Sequence, residues 1–307
     1  MRHCSVASVL ICITLLFVST IVSAQSEGTI AAWGTNTSGQ CDVPEPNSGF
    51  VSVAAGAYHS LGLRTDGTVV AWGDNDRGQC NVPSAPGGYV AVAANYEHSV
   101  ALGADGYVRA WGRDFEGQCG NLYGSYIAIG AGPYHTLGVK TDGSIAAVGV
   151  NDAGQCDGPS SNWGFVAAAG GRWHSLGLKS TGQILAWGGN DHGECDVPSP
   201  NSGFVAVAAG WDSGLGLKSD GTIVAWGGST YVPSPNAGFV AISASGNGHC
   251  ALKDDGTVVA WGSFGQMPDP NDGCFAVAAG FNHALAVRTP PSAVHHASWS
   301  VIKAFWR

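Results

Sequence analysis

Fifteen residues, His59-Ser60-Leu61-Gly62-Leu63-Arg64-Thr65-Asp66-Gly67-Thr68-Val69-Val70-Ala71-Trp72-Gly73, contain the unit from which nearly the whole chain is built. Two apolar runs of strand length flank an Asp-Gly pair, the strongest short hairpin signal, so the stretch predicts two antiparallel strands, the second ending in Trp-Gly. Just upstream, Phe50-Val51-Ser52-Val53-Ala54-Ala55 is a third strand-like run of small apolar residues. The unit returns along the chain. Its Trp-Gly mark falls at Trp33, Trp72, Trp111, Trp187, Trp226 and Trp261, with Val148-Gly149 filling the gap, in steps of 39, 39, 37, 39, 39 and 35 residues. The hairpin turn recurs at Asp105-Gly106, Asp142-Gly143, Asp220-Gly221 and Asp255-Gly256, with Thr181-Gly182 as a variant. A fixed period of this length is the signature of a repeat architecture, and there are seven units.

Six hairpins are complete and the seventh is divided. His283-Ala284-Leu285-Ala286-Val287-Arg288-Thr289 matches His59 to Thr65 and stops, whereas Gly28-Thr29-Ile30-Ala31-Ala32-Trp33-Gly34 begins where that unit should continue. In an open solenoid the halves would be distant, each with an unpaired strand edge. In a ring they meet and complete one sheet, which removes the exposed edge. The prediction is an all-β, seven-bladed β-propeller of about 39-residue repeats, its last blade closed by the N- and C-terminal strands.

Composition agrees. Of 307 residues 45% are hydrophobic, enough for a large core, and 47 are Gly without a Gly-X-Y period, which suits many tight turns. Residues 1–24 read as a signal peptide: Arg2, an apolar run through Val9, Leu10, Ile11, Leu15, Leu16 and Phe17, then Val22-Ser23-Ala24 as a small-residue cleavage site. An uncleaved membrane anchor is the rival reading of the same segment, and the cleavage site favours removal. The propeller is expected over 25–289 in a secreted protein, extracellular or periplasmic, with a tail over 290–307. Losing the signal removes one basic and no acidic residue and takes the net charge from −9 to −10. That charge repels nucleic acid and anionic lipid. A monomer with a protein partner, no nucleic acid and no membrane contact after cleavage is expected.

The recurring marks, Gly-x-x-His-Ser/Thr, Asp-Gly-Thr-Val, Ala-Trp-Gly and Asn-x-x-Gly-Gln, resemble the regulator of chromosome condensation repeat family over residues 28 to 289. The resemblance implies a seven-bladed propeller. Its best-known members promote nucleotide exchange on a nuclear GTPase and dock on chromatin, but with longer repeats, a basic tail and an inserted wedge, none of which this sequence has. In repeat length and secretion signal the chain is more similar to propeller-type β-lactamase inhibitory proteins, which bind an enzyme through aromatic-rich loops on one face.

Residues shared by nearly every unit should build blades. His59, His98, His135, His174, His249 and His283, with Ser213 in the remaining slot, diverge around a ring axis and so read as hydrogen-bonding residues, not ligands of one ion. The Trp-Gly tryptophans read as blade-to-blade packing. Cys41, Cys80, Cys119, Cys156 and Cys195 occupy one repeated slot, and equivalent positions on neighbouring blades lie beyond the ~7 Å limit for a disulfide. With Cys250 and Cys274 they are expected as small buried apolar side chains.

Function should lie where the units differ. The loops before the His and after Trp-Gly share one face and vary, and six of the seven pairs before the His carry an aromatic: Tyr58, Tyr96, Tyr134, Trp173, Trp211 and Phe281. Phe115, Tyr231 and Phe264 follow Trp-Gly. Tyr and Trp with interspersed charge form the composition of protein-binding hot spots, and these nine residues are the candidate partner-binding set. Capping of the inter-blade cores is the structural alternative. No catalytic, cofactor-binding or metal-binding set is assigned. Asp74-Asn75-Asp76 lacks the distal Glu of a calcium loop, and Asn36-Thr37-Ser38 is a glycosylation sequon relevant only in a eukaryotic host. The tail from Ser298 to Arg307 spaces Val301, Ile302, Phe305 and Trp306 as a short docking helix would, though a ragged end fits equally. The reading is a secreted, non-enzymatic protein-binding scaffold, inhibition of an enzyme being the form that the second resemblance implies. A carbohydrate-binding propeller and a nucleotide-exchange regulator are the alternatives.

Overall fold

The structure, a computed structural model, describes residues 27–264, 267, 269 and 271–290. The signal segment and the tail lie outside the described residues. Among the described residues there are twenty-one strands in seven antiparallel three-stranded sheets. β1 (Thr29–Gly34) is the outer strand of the last blade. Blade 1 is β2 (Phe50–Ala55), β3 (His59–Arg64) and β4 (Val69–Gly73). Blade 2 is β5 (Tyr89–Asn95), β6 (His98–Gly103) and β7 (Val108–Gly112). Blade 3 is β8 (Tyr126–Ala131), β9 (His135–Lys140) and β10 (Ile145–Gly149). Blade 4 is β11 (Phe165–Gly170), β12 (His174–Lys179) and β13 (Ile184–Gly188). Blade 5 is β14 (Phe204–Ala209), β15 (Ser213–Lys218) and β16 (Ile223–Gly227). Blade 6 is β17 (Phe239–Ser245), β18 (Gly248–Lys253) and β19 (Val258–Trp261). Blade 7 is β20 (Cys274–Ala279), β21 (His283–Arg288) and β1, in the order β1-β21-β20.

The divided unit closes as expected. β1 runs antiparallel to β21 in a continuous register from Thr29 opposite Arg288 to Gly34 opposite His283. The join buries side chains from three stretches of sequence, with Ile30, Phe50, Val53, Trp72, Leu285 and Val287 in one apolar cluster between blades 7 and 1. Comparable clusters fill the other seams.

The inner strands approach one another closely around a central channel of about 300 Å³, lined by small residues such as Ala54, Ala94, Gly130, Ala169, Gly170 and Ala208. The closeness is why the run is poor in large side chains. A Cβ at Gly170 would stand 2.5 Å from the backbone nitrogen of Gly132 on blade 3, a distance no side chain tolerates.

One expectation about the turns is corrected. A two-residue Asp-Gly turn requires positive φ at both residues, yet only the glycine has it, Gly67 at +82°. Arg64 and Thr68 face each other (N–H to O, 2.9 Å) and the Gly67 N–H returns to the Arg64 carbonyl at 3.0 Å. The loop is therefore three residues long, a turn followed by a left-handed bulge glycine. Asp66 earns its place by accepting the Thr68 N–H through Oδ1 at 2.9 Å, which holds its carboxyl below the usual range.

The periodic histidines are builders, as the sequence suggested. Ser60 Oγ donates to the Gln40 carbonyl (2.8 Å), so the bond between Ser60 Oγ and His283 Nε2 (2.9 Å) must run from an Nε2–H to the hydroxyl. The same relay links His59 to Ser99, His98 to Thr136 and His135 to Ser175. These four imidazoles are thus tied to the next blade, and the glutamine that receives the hydroxyl belongs to the loop leaving the preceding one. His249, faced by Ala284 in the next blade, instead meets Ser213 of the preceding blade at 3.4 Å, and His174 has no relay at all. Gly214 stands in its serine slot, and neither ring nitrogen has a partner among the described residues. Ser60→Ala should cost about 1–3 kcal/mol, because it strands the buried His283 Nε2–H, while the Gln40 carbonyl keeps the Trp72 indole N–H at 2.9 Å. Urea unfolding measures this, and a cost under ~0.5 kcal/mol, the size of an ordinary surface substitution, would show that the relay adds nothing to the seam.

The cysteines depart from expectation in one respect. All seven are free thiols, but the five in the repeated slot are half-buried and hydrogen-bonded, not fully enclosed. Each Sγ meets the carbonyl six residues back, as Cys80 does with Asp74 at 3.2 Å. Burial pushes these thiols up, Cys80 to about 11 and Cys119 to about 12, so they remain protonated.

Candidate functional site

On the upper face the two residues before each His play different parts. The one nearer the His has its carbonyl fixed by the outgoing loop of its own blade: Tyr58 accepts from Asp74 N–H and Trp173 from Gly189 N–H. The other links to the next blade around the channel mouth, as Ala57 N–H does to the Tyr96 carbonyl (2.7 Å) and Arg172 N–H to the Trp211 carbonyl (2.9 Å). Tyr58, Tyr134 and Trp173 stand next to the His and Tyr96, Trp211 and Phe281 one residue earlier, and several neighbouring rings meet. Tyr96 and Tyr134 stand edge to face at 5.9 Å, Tyr134 and Trp173 lie 5.2 Å apart, and Trp211 and Phe281 are 4.7 Å apart. The last pair spans blade 6, where Phe281 fills the space over Gly246.

Two arginines join these groups. The Arg172 guanidinium lies 5.6 Å from the Trp173 ring and 5.4 Å from the Trp211 ring, bridging the two stacks. Arg113 lies over Tyr96, Tyr134 and Phe115 while paired to Glu116 at 2.6 Å and Glu97 at 3.5 Å. The result is an arc from Tyr96 to Phe281, each member half-buried with its remaining surface upward. Tyr96 sits in the left-handed region at φ +44°, a conformation that costs a non-glycine residue about 1–3 kcal/mol. Its carbonyl and the Asn95 Oδ1 bond to its own N–H hold it there.

The structure thus brings together five of the nine predicted residues: Tyr96, Tyr134, Trp173, Trp211 and Phe281. Phe115 stands at the edge of the arc, 69% exposed, between Arg77 and Arg113. Tyr58 is half-buried and makes no ring contact among the described residues. Tyr231 is exposed on the loop after β16 and makes no ring contact among the described residues. Phe264 lies over Gly248 and packs with the blade 6 and 7 core, so it fills a seam. Outside the predicted set, Tyr107, Tyr123 and Trp163 are exposed on the lower side of blades 2 to 4, where the near-identical Asp-Gly turns drew attention away from them.

Beside Trp173 a cavity of about 430 Å³ opens between blades 4 and 5, lined by Asp152, Arg172, Asp191, His192, Glu194 and Asp212 among others. Sequence reasoning assigned nothing here. His192, Glu194 and Asp212 place one imidazole nitrogen and two carboxylate oxygens all within 4.8 Å of one another. The signal available was Glu194, which stands where four other units have Gln40, Gln79, Gln118 and Gln155.

Four stretches of the chain, residues 50–79, 89–118, 165–194 and 204–231, match the regulator of chromosome condensation (RCC1) repeat. The chain carries RCC1 repeats. No curated protein sequence matches it. Among solved structures it is similar to Prp20p of Saccharomyces cerevisiae, which was studied for binding to Gsp1p and histones, at 18% identity over 92% of this chain and 96% of that one (TM-score 0.71). Human WBSCR16 aligns at 16% identity over 85% of this chain and 99% of its own (TM-score 0.68). The ectodomain of the Physcomitrella patens receptor kinase CR4 aligns at 20% identity over 78% and 70% (TM-score 0.66). At these identities the likeness is one of fold, and the seven RCC1-type blades are its content.

Proposed function

We propose that this RCC1 repeat protein is a secreted, non-enzymatic scaffold that binds a protein partner through the upper-face arc, inhibition of a secreted enzyme being one form of that role. The observation that supports it is the arc itself. Five aromatic side chains from five blades are drawn into one surface and ordered by Arg113 and Arg172. Large rigid rings already held in place lose little entropy on binding, and Trp, Tyr and Arg are the residues that dominate hot spots. The frame beneath is stiff, since each blade is tied to the next by packing and, at the four seams from blade 7 round to blade 4, by the histidine relay. The proposed export rests on the signal-like segment at 1–24.

The test is affinity capture from culture medium with the purified chain, compared with a Trp173→Ala/Trp211→Ala variant and with a Tyr107→Ala/Tyr123→Ala variant of the opposite side. A partner retained by the parent and the lower-side variant but lost, by tenfold or more in Kd, from the upper-face variant is the expected outcome; tenfold corresponds to about 1.4 kcal/mol. Equal retention by all three chains would remove the arc from consideration. A glycan captured in place of a protein would turn the reading to carbohydrate recognition.

A further inference from the structure

We propose that His192, Glu194 and Asp212 form a binding site for a divalent transition-metal ion of the zinc type, at the top of the seam between blades 4 and 5. The inference goes beyond the partner-binding reading and does not depend on it.

The repeat supplies the first ground. In four sister units a glutamine of the outgoing loop accepts a backbone N–H two residues earlier, as Gln155 does from Ala153 at 3.0 Å. Its amide nitrogen is then left buried without a partner in Gln118 and Gln155. Glu194 keeps the first bond, accepting the His192 N–H through Oε2 at 2.8 Å. At the position of the idle amide nitrogen it carries an anionic oxygen, Oε1, which has no hydrogen-bond donor among the described residues, although the residue is only 2% exposed. That oxygen is not sealed in, and it stands on the cavity as a free anionic ligand atom that a cation can reach.

The second ground is what surrounds it. The carboxylate of Asp212, on blade 5, and the imidazole of His192 both reach within 4.8 Å of that carboxylate. Two carboxylates this close repel unless a cation lies between them. Asp152 and Asp191 add further negative charge to the same cavity. Its one arginine, Arg172, is committed to the Trp173 and Trp211 rings and forms no ion pair with any of the four acids among the described residues. One imidazole nitrogen and two carboxylates are a donor set for zinc, whereas calcium takes six to eight oxygens, as a rule. Metal bonds of about 2.0–2.2 Å require the three donors to close to about 3.4 Å apart. The exposed His192 and half-buried Asp212 can make that movement while Glu194 stays fixed. The open side of the ion would face the cavity, leaving a coordination position for water or for a ligand atom from outside.

The test is titration of the purified full chain, its terminal His295-His296 pair replaced by alanine, with Zn²⁺ by calorimetry and with Co²⁺ by visible absorption. One ion per chain is expected, with a cobalt spectrum free of thiolate charge-transfer bands. Glu194→Gln installs the residue of the sister units, so its melting temperature without metal should match the parent, while its zinc affinity should fall roughly 10–100-fold or more. His192→Gln should do the same. Absence of zinc binding by the parent, undiminished binding by both variants, or a thiolate band that assigns the metal to the cysteines would each overturn the site.

Discussion

A chain that begins at residue 35 should no longer unfold as a closed ring. Its melting temperature should drop far below that of the parent, or the cooperative transition should vanish, whereas a chain ending at residue 291 should melt close to it. The difference follows from what β1 holds together. It supplies the outer strand of blade 7 in a six-residue register with β21, and brings Ile30 and Trp33 into two separate seams, one facing blade 1 and the other facing blade 6. Losing a buried Ile and a buried Trp costs about 2–5 and 3–5 kcal/mol, against a total stability of about 5–15 kcal/mol for an ordinary domain. Deletion also exposes the backbone edge of β21, a template for pairing with another chain. Truncated protein should therefore associate, which size-exclusion chromatography detects. A synthetic peptide of residues 25–34, added in trans, should restore part of the lost melting temperature. If the truncated chain melts with the parent and stays monomeric, the seam between the termini does not hold the ring.

The closure was legible because a repeat makes every unit a prediction about the others. Once His59 to Gly73 is recognised as a unit, the halves at His283 and Thr29 have no other place to go. The histidine relay was legible in outline for the same reason, as residues repeated at equal spacing build equal structures. The turn was misread because Asp-Gly alone does not say how many residues the loop contains; the pairing of Arg64 with Thr68 decides that. The arc was legible in composition but not in arrangement. Nothing in the one-dimensional spacing says that Tyr134 meets both Tyr96 and Trp173, or that an arginine rather than a ring bridges Trp173 to Trp211. Phe264 looked like its counterparts because the lack of a side chain at Gly248, which lets it fall inward, matters only in three dimensions. The carboxylate cluster was missed because Asp212 lies on a different blade from His192 and Glu194, and only the ring brings them together.

Acid should destabilise this fold much earlier than it does most proteins, with the loss of stability beginning near pH 6.5 and steepening to pH 4. Six imidazoles are enclosed in the seams, and burial is the largest cause that lowers every one of them from the ordinary 6.5: His59 and His135 to about 3, His98, His174, His249 and His283 to about 4. Above pH 6.5 both folded and unfolded chains hold these rings neutral and the histidines give no pH dependence. As pH falls below 6.5 the unfolded chain takes up protons that the folded chain refuses, so stability falls, and the fall ends only when the folded pKa values are reached. Each histidine contributes a slope of up to about 1.4 kcal/mol per pH unit, and six together up to roughly 8. The turn aspartates, such as Asp66 and Asp220, have lowered values too and add to the loss, but only below about pH 4, where the unfolded chain begins to protonate them. Melting temperature measured from pH 7.5 to 4.5 should thus be flat and then drop sharply, and unfolding at pH 5 should be accompanied by uptake of several protons, read from the dependence of calorimetric enthalpy on buffer ionisation. His283→Gln lowers stability at neutral pH but should remove about one of those protons. A melting temperature unchanged between pH 7 and 5 would mean that the rings in the seams take up protons as readily in the folded chain as in the unfolded one.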